Sequence, residues 1–159
     1  MIRLQKIDSK NIWKVVGLSV KEQQTDFVAT NTESLLEAYV TVASGKTALP
    51  FAIYNEEELV GFVMFGYDVI DDEDEPAIAY GNYLMWRFMI DQKYQGKGLG
   101  KAALAKSIEY LRSMPCGPAK YCWLSYEPEN SIARDLYTSM GFSENGEMCG
   151  EEIVSVLEL

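Results

Sequence analysis

The densest chemical signal in this sequence is the run Ile90-Asp91-Gln92-Lys93-Tyr94-Gln95-Gly96-Lys97-Gly98-Leu99-Gly100-Lys101. Gly96, Gly98 and Gly100 stand at alternate positions, where backbone without a Cβ lets an anion come close. A helical period starts directly behind them. A helix N-terminus offers N–H groups without intrahelical partners and the positive end of its dipole. Lys97 and Lys101 add positive charge. That is the chemistry of a pyrophosphate cradle. Two well-known cradles fail on spacing. A Walker A loop ending at Gly100-Lys101 needs glycine where Gln95 stands and a hydroxyl where Ala102 stands. A dinucleotide fingerprint starting at Gly96 needs glycine where Lys101 stands. The plainer alternative is a glycine-rich strand-to-helix turn.

A second concentration is acidic. Asp68, Asp71, Asp72, Glu73, Asp74 and Glu75 put six carboxylates into eight residues. They form either a solvated loop or a funnel that gathers cations. Tyr67, Tyr80, Tyr83 and Trp86 lie close in sequence and are suited to flank an ammonium group. The whole chain leans the same way: 14 Lys and Arg against 24 Asp and Glu give a net charge of −10. Such a surface repels phosphate backbones, so nucleic acid is not an expected partner. The chain has no histidine. Ser-His-Asp and Cys-His hydrolysis and histidine metal sites are thereby excluded. Any general acid or base must be a carboxylate, Tyr, Lys, Cys or water. No metal site is expected, since the acidic run lacks EF-hand spacing. Cys116, Cys122 and Cys149 are odd in number and lack CxxC spacing, which suits a reducing, cytoplasmic setting.

The 159 residues, 48% of them hydrophobic, fit one domain over 1–159. No run reaches the length of a membrane span, so no membrane partner is expected. Ile2 to Ile7 alternates as a strand does. Ser9 is placed to cap a short helix ending near Gly17, and Asn31 to cap one stopped by Gly45. Leu49–Tyr54 and Leu59–Tyr67 form a hairpin pair about residues 55–58. Ala79–Ile90 is a long β-type run. Leu99–Arg112 is helical, Tyr121–Tyr126 a strand, and Asn130 or Ser131 caps a helix stopped by Gly141. Residues 142–148 and 151–159 close as an antiparallel pair. The order β-α-α-β-β-β-loop-α-β-α-β-β predicts an α/β domain with a mixed sheet.

These residues resemble a family. Gln95-Gly96-Lys97-Gly98-Leu99-Gly100 is similar to the Q/R-x-x-G-x-G/A loop of the GNAT superfamily of N-acetyltransferases. Asn130-Ser131-Ile132-Ala133-Arg134-Asp135-Leu136-Tyr137, running on to Gly141-Phe142, resembles its N-x-x-A-x-x-L-Y-x-x-x-G-F pattern. The resemblance implies a mostly antiparallel mixed sheet, splayed between strands four and five and flanked by helices, with acetyl-CoA as co-substrate in the gap. It implies that the backbone of Gln95, Gly96, Lys97, Gly98, Leu99, Gly100 and Lys101 holds the pyrophosphate. It further implies that Phe88 and Ile90 present a strand edge to the pantetheine arm, and that Asn130 touches the arm from the other side. Tyr137 is implied as general acid toward the departing thiolate, and the Ile90 N–H suits an oxyanion donor.

Some relatives carry a Glu base on the fourth strand, and Tyr83–Phe88 carries no carboxylate. The base is left to water relayed from Glu22, Asp26 or a loop carboxylate. Arg87 is either part of the site or paired with an acid beneath it.

Leu84–Asp91 and Tyr94–Lys101, with the acidic loop before them, resemble the bacterial spermine/spermidine acetyltransferase subgroup. That implies transfer of an acetyl group to a polyamine, a small cationic partner, by direct attack in a ternary complex. Glu22, Asp26, Asp71, Asp72, Glu73, Glu75 and Trp86 are the expected substrate contacts. Another small amine, an antibiotic or a protein amine, and a non-catalytic acyl-CoA-binding regulator are the alternatives. The resemblance leaves a homodimer open.

Overall fold

The computed structural model describes residues 1–71 and 75–159. The elements are β1 (Ile2–Lys6), α1 (Ile12–Val16), α2 (Asn31–Ala43), β2 (Thr47–Asn55), β3 (Glu58–Tyr67), β4 (Tyr83–Ile90), α3 (Leu99–Arg112), β5 (Tyr121–Tyr126), α4 (Ser131–Ser139), β6 (Ser143–Cys149) and β7 (Glu152–Glu158). One-turn 3-10 segments stand at Glu22–Gln24 and Ala77–Ala79. The strands form one sheet in the order β1-β2-β3-β4-β5-β7-β6. Every neighbouring pair is antiparallel except β4 and β5.

β3 is the axis of the sheet. Its alternate side chains bury on opposite faces, so its sequence is a nearly unbroken apolar run. Val63 and Phe65 pack toward α3 with Leu104, Ile108 and Leu111. Phe62 and Met64 pack toward α1 and α2 with Val15, Ala38 and Met89. The Tyr110 ring of α3 stacks on Phe65 with centroids 5.6 Å apart.

The parallel pair is short. Only Tyr83↔Cys122 and Leu84↔Trp123 are in register. Beyond them β4 runs on to Ile90 and β5 to Tyr126 without pairing to each other. A bulge helps to part them. Met64 opposes Arg87 while Phe65 opposes Met85, so Trp86 is the extra residue on β4. A bulge bends its strand and sharpens the local twist. The sheet is therefore splayed between its fourth and fifth strands, as expected.

Three local expectations are corrected. Asn11, not Ser9, holds the cap position of α1, and its side chain is spent on the Asp8 N–H and the Lys6 carbonyl, both at 2.9 Å. Thr30, not Asn31, caps α2. Its hydroxyl accepts the Glu33 N–H at 3.1 Å, and the Glu33 carboxylate accepts the Thr30 N–H at 2.9 Å. That reciprocal box satisfies two orphan donors, which a lone Asn cap one residue later does not. Asn31 is instead buried and donates to the Val15 carbonyl at 2.9 Å, tying α2 to α1. β4 starts at Tyr83, not Ala79, because the 3-10 turn after Pro76 and the positive φ of Gly81 (68°) occupy the intervening residues. Among the described residues no helix is long and apolar enough to cross a membrane.

Gly61 faces β4 so closely that an added Cβ would strike the Met89 carbonyl. Gly61→Ala is expected to lower the unfolding free energy by about 1–3 kcal/mol, the range for overpacking. An unchanged urea midpoint with an unchanged slope would contradict this packing.

Candidate active site

The glycine loop leads from β4 into α3. Gly96 and Gly98 have φ of 77° and 76°, and an added Cβ at either would meet nothing within 4 Å. Glycine stands there for its backbone, since the left-handed region costs other residues roughly 1–2 kcal/mol. Gly98 caps α3, and its carbonyl accepts the Ala102 N–H at 3.3 Å as the helix begins. The N–H groups ahead of that bond are those a helix cannot satisfy internally. Asp91 shapes the loop from beneath. It is buried and accepts the Lys93 and Ser19 N–H groups, each at 3.0 Å. The sequence reading assigned it no role.

The end of β4 presents an edge. The Asp91 N–H bonds the Val60 carbonyl at 2.8 Å on the β3 side. Alternation along the strand turns the Ile90 N–H and carbonyl to the other edge, facing the gap. Gln95 Nε2 donates to that carbonyl at 2.9 Å and to Gln24 Oε1 at 2.9 Å. The side chain of Gln95 thus pins the loop to β4 and to the 3-10 turn at Glu22–Gln24. On the far wall, Asn130 Oδ1 caps α4 by accepting the Ala133 N–H at 3.3 Å.

Two cavities meet in the gap. The smaller, about 280 Å³, is lined by Phe88, Ile90, Gln95, Gly96, Gly100 and Leu136 among others. The larger, about 520 Å³, opens on the face toward α2. Phe27, Val28, Phe88, Asn130, Ala133 and Tyr137 line both. Tyr137 therefore stands at their junction. Its ring stacks on Tyr126 at 6.2 Å and meets Phe142 edge-on at 5.8 Å. Burial pushes its hydroxyl pKa well up, and the nearby Cys122 thiol adds to this. The phenol keeps its proton throughout the neutral range. Burial also pushes the Cys122 thiol up to about 12, far from the thiolate a nucleophile needs.

The larger cavity is acidic. Asp26, Glu33, Asp71, Glu75, Glu127 and Glu152 line it, and among its described lining residues Arg87 is the one cation. Arg87 is held by Glu37 of α2, with Nη2 3.1 Å from both carboxylate oxygens. It is paired with an acid and also lines the cavity, so both roles open to it hold. Glu33 is held ionised by its bonds to the Thr30 backbone and hydroxyl, which lower its pKa. Asp71 Oδ1 accepts from Lys46 Nζ at 2.6 Å.

The expected residues divide as follows. Phe88, Ile90, Gln95, Gly96, Gly100, Asn130 and Tyr137 gather on the smaller cavity. Lys97, Gly98, Leu99 and Lys101 are not on its wall and stand around the α3 N-terminus. Leu99 packs on the core, and Lys97 Nζ donates to the Lys93 carbonyl at 3.1 Å. Asp26, Asp71, Glu75 and Trp86 line the larger cavity. Glu22 is exposed and lines neither cavity. Asp72 and Glu73 lie outside the described residues. The aromatic flank reduces to Trp86, because the Tyr83 and Tyr67 hydroxyls donate to the Gly117 and Pro118 carbonyls and Tyr80 points to solvent. Glu33, Glu127 and Glu152 were not foreseen. No motif marks them, and only the tertiary fold brings α2, the loop after β5 and β7 together.

The model of the acetyltransferase (GNAT) family matches residues 16–142. The chain belongs to the GNAT acetyltransferase family. It is 33% identical over 147 residues to the spermine/spermidine N(1)-acetyltransferase of Bacillus subtilis strain 168, covering 92% of this chain and 91% of that protein. It is equally similar to the probable spermine N(1)-acetyltransferase of Bacillus subtilis subsp. natto. Among solved structures, aminoglycoside acetyltransferase AAC(6')-Ib with coenzyme A superimposes with a TM-score of 0.78 at 15% identity, covering 99% of this chain and 95% of that one. The PaiA N-acetyltransferase of Thermoplasma acidophilum with coenzyme A gives 0.64 at 16% identity, covering 100% and 99%. At such identities these two establish the fold.

This GNAT protein is an acetyl-CoA-dependent N-acetyltransferase. The open glycine loop, the α3 N-terminus and the β4 edge that β5 leaves uncovered fit that co-substrate. Gly98→Ala is expected to lower stability by about 1–2 kcal/mol through its left-handed φ, and to weaken coenzyme A binding by calorimetry. Unchanged values of both would contradict the loop geometry.

Proposed function

We propose that this chain transfers the acetyl group of acetyl-CoA to a primary amine of a polyamine, by direct attack in a ternary complex. One observation carries the reading. Among its described residues the larger cavity has six carboxylates and one cation, already paired, and it opens onto the apolar gap at Tyr137. A polycation lowers its free energy on entering such a cleft, and the field raises its local concentration. The names borne by the two Bacillus relatives support the same acceptor.

The roles follow from position. The N–H groups of the 95–101 loop receive the pyrophosphate, with Lys97 and Lys101 at the rim. The Phe88–Ile90 edge receives the pantetheine arm as an added strand would, opposite Asn130. Bound acetyl-CoA supplies an activated acyl carbon. The Ile90 N–H lies on the gap edge and stabilises negative charge on the acyl oxygen. Tyr137 keeps its proton until the thiolate departs and then donates it. Trp86 offers an aromatic face to the ammonium groups, and Asp26, Asp71 and Glu75 hold the outer charges of the acceptor.

The test is acetyl-CoA-dependent thiol release with spermidine, spermine, putrescine, an aminoglycoside and a basic peptide. Spermidine and spermine are expected to be the best acceptors. Tyr137→Phe is expected to lower kcat about 10²–10⁴-fold while coenzyme A binding persists. Equal turnover by the Phe variant would remove Tyr137 from proton transfer, and preference for another amine would overturn the acceptor. The value of kcat/KM for spermidine should also fall as salt rises from low to physiological strength, because the attraction is screened. A salt-independent value would contradict the acidic cleft.

A further inference from the structure

No carboxylate stands on β4 beside the reacting centre, so the group that deprotonates the amine must come from another element. Of the six described carboxylates on the larger cavity, two are spent on other groups. Glu33 is committed to the α2 cap and Asp71 to Lys46. Asp26 is exposed at the mouth. Glu152 differs. It is the first residue of β7, half-buried, and its one described hydrogen bond is a long one, from the Ser125 hydroxyl at 3.4 Å.

Register places it. Ile153 pairs with Tyr126, the residue whose ring stacks on Tyr137. Glu152 shares its face with Val154, which packs with Trp123 and Trp86 on the side toward α2. Tyr137 belongs to the opposite face, with Tyr126 and Phe142. The splay between β4 and β5 is what lets both line one cavity. An amine entering from the acidic side meets Glu152 before the gap and Tyr137 within it.

We propose that Glu152 receives the reacting ammonium of the acceptor and takes its proton. This rests on the acetyl-transfer reading above. The ammonium gives one proton to the Glu152 carboxylate, and the freed nitrogen lone pair forms the C–N bond. The C–S bond then breaks. Sulfur takes the Tyr137 proton, and Tyr137 regains one from the acylated nitrogen. Glu152 releases its proton to water. The sum is an amide, coenzyme A thiol and one proton.

Glu127 after β5 and Arg87 on β4 act on Glu152, Cys149 stands opposite it on β6, and Asp26, Glu33, Asp71, Glu75, Tyr126 and Tyr137 share its cavity. Burial first, then Glu127, raises its pKa, while Arg87 and Ser125 oppose this. A raised pKa makes a carboxylate a stronger base near neutral pH. It also means that ionising Glu152 works against folding.

The test compares Glu152→Gln with wild type, on whichever amine of the panel wild type acetylates fastest. The expected loss in kcat is about 10²–10⁴-fold. The acidic limb of the wild-type pH profile, where Glu152 becomes protonated, should vanish in the variant. Its unfolding midpoint at neutral pH should equal or exceed that of wild type, whereas a structural role predicts a fall. Retention of wild-type kcat and pH profile would overturn the proposal. Wild-type turnover of polyamines tests the acceptor separately. A readout without turnover is carbon-13 NMR of the Glu152 carboxyl. The amine that wild type acetylates fastest should move its titration midpoint downward, and an unmoved midpoint would overturn the proposal.

Discussion

The site depends on a hydrogen-bond ladder that stops early. β4 and β5 share two residue pairs and then separate. A continued ladder would satisfy the β4 edge at Ile90 and close the sheet. Because it stops, backbone groups that proteins rarely leave unpaired are turned toward a ligand of extended shape. The Trp86 bulge bends β4 away, and burial of β3 on both faces anchors the strand behind it. Arg87, braced against Glu37, ties the bent strand to α2.

The gap also separates two chemistries. On one side lie a glycine loop, a helix N-terminus and an apolar wall. On the other lies a cavity rimmed by carboxylates. A helix N-terminus favours a phosphate and a carboxylate-lined cavity favours a cation, so the two sides of the gap attract opposite charges. Tyr137, Phe88 and Asn130 stand where the two regions meet. The arrangement suits a reaction that moves a small neutral group from an anionic carrier to a cationic acceptor.

Much of this was legible in the residues, for reasons that can be stated. The loop, α3 and α4 were readable because their signals are local: glycines ahead of a helical period, an Asn cap, and Leu136 and Tyr137 before Gly141. The two missed caps were local also, but the Thr30–Glu33 box outcompeted the Asn one residue later. Ala79–Ile90 resembles one strand in the sequence because apolar residues in a 3-10 turn have no period that marks them off. Glu152 was invisible because β7 reaches the site only through pairing with β5, and Glu127 because it follows β5 without any motif of its own. The supposed aromatic flank failed because tyrosine hydroxyls found carbonyl partners within the fold.

In the proposed reaction both substrates occupy the gap together and the amine attacks the thioester. The measurement that decides this is the initial rate of thiol release with acetyl-CoA and spermidine varied against each other. Double-reciprocal lines that intersect are the predicted result. Parallel lines, with an acetylated protein detected by mass spectrometry in the absence of amine, would contradict it.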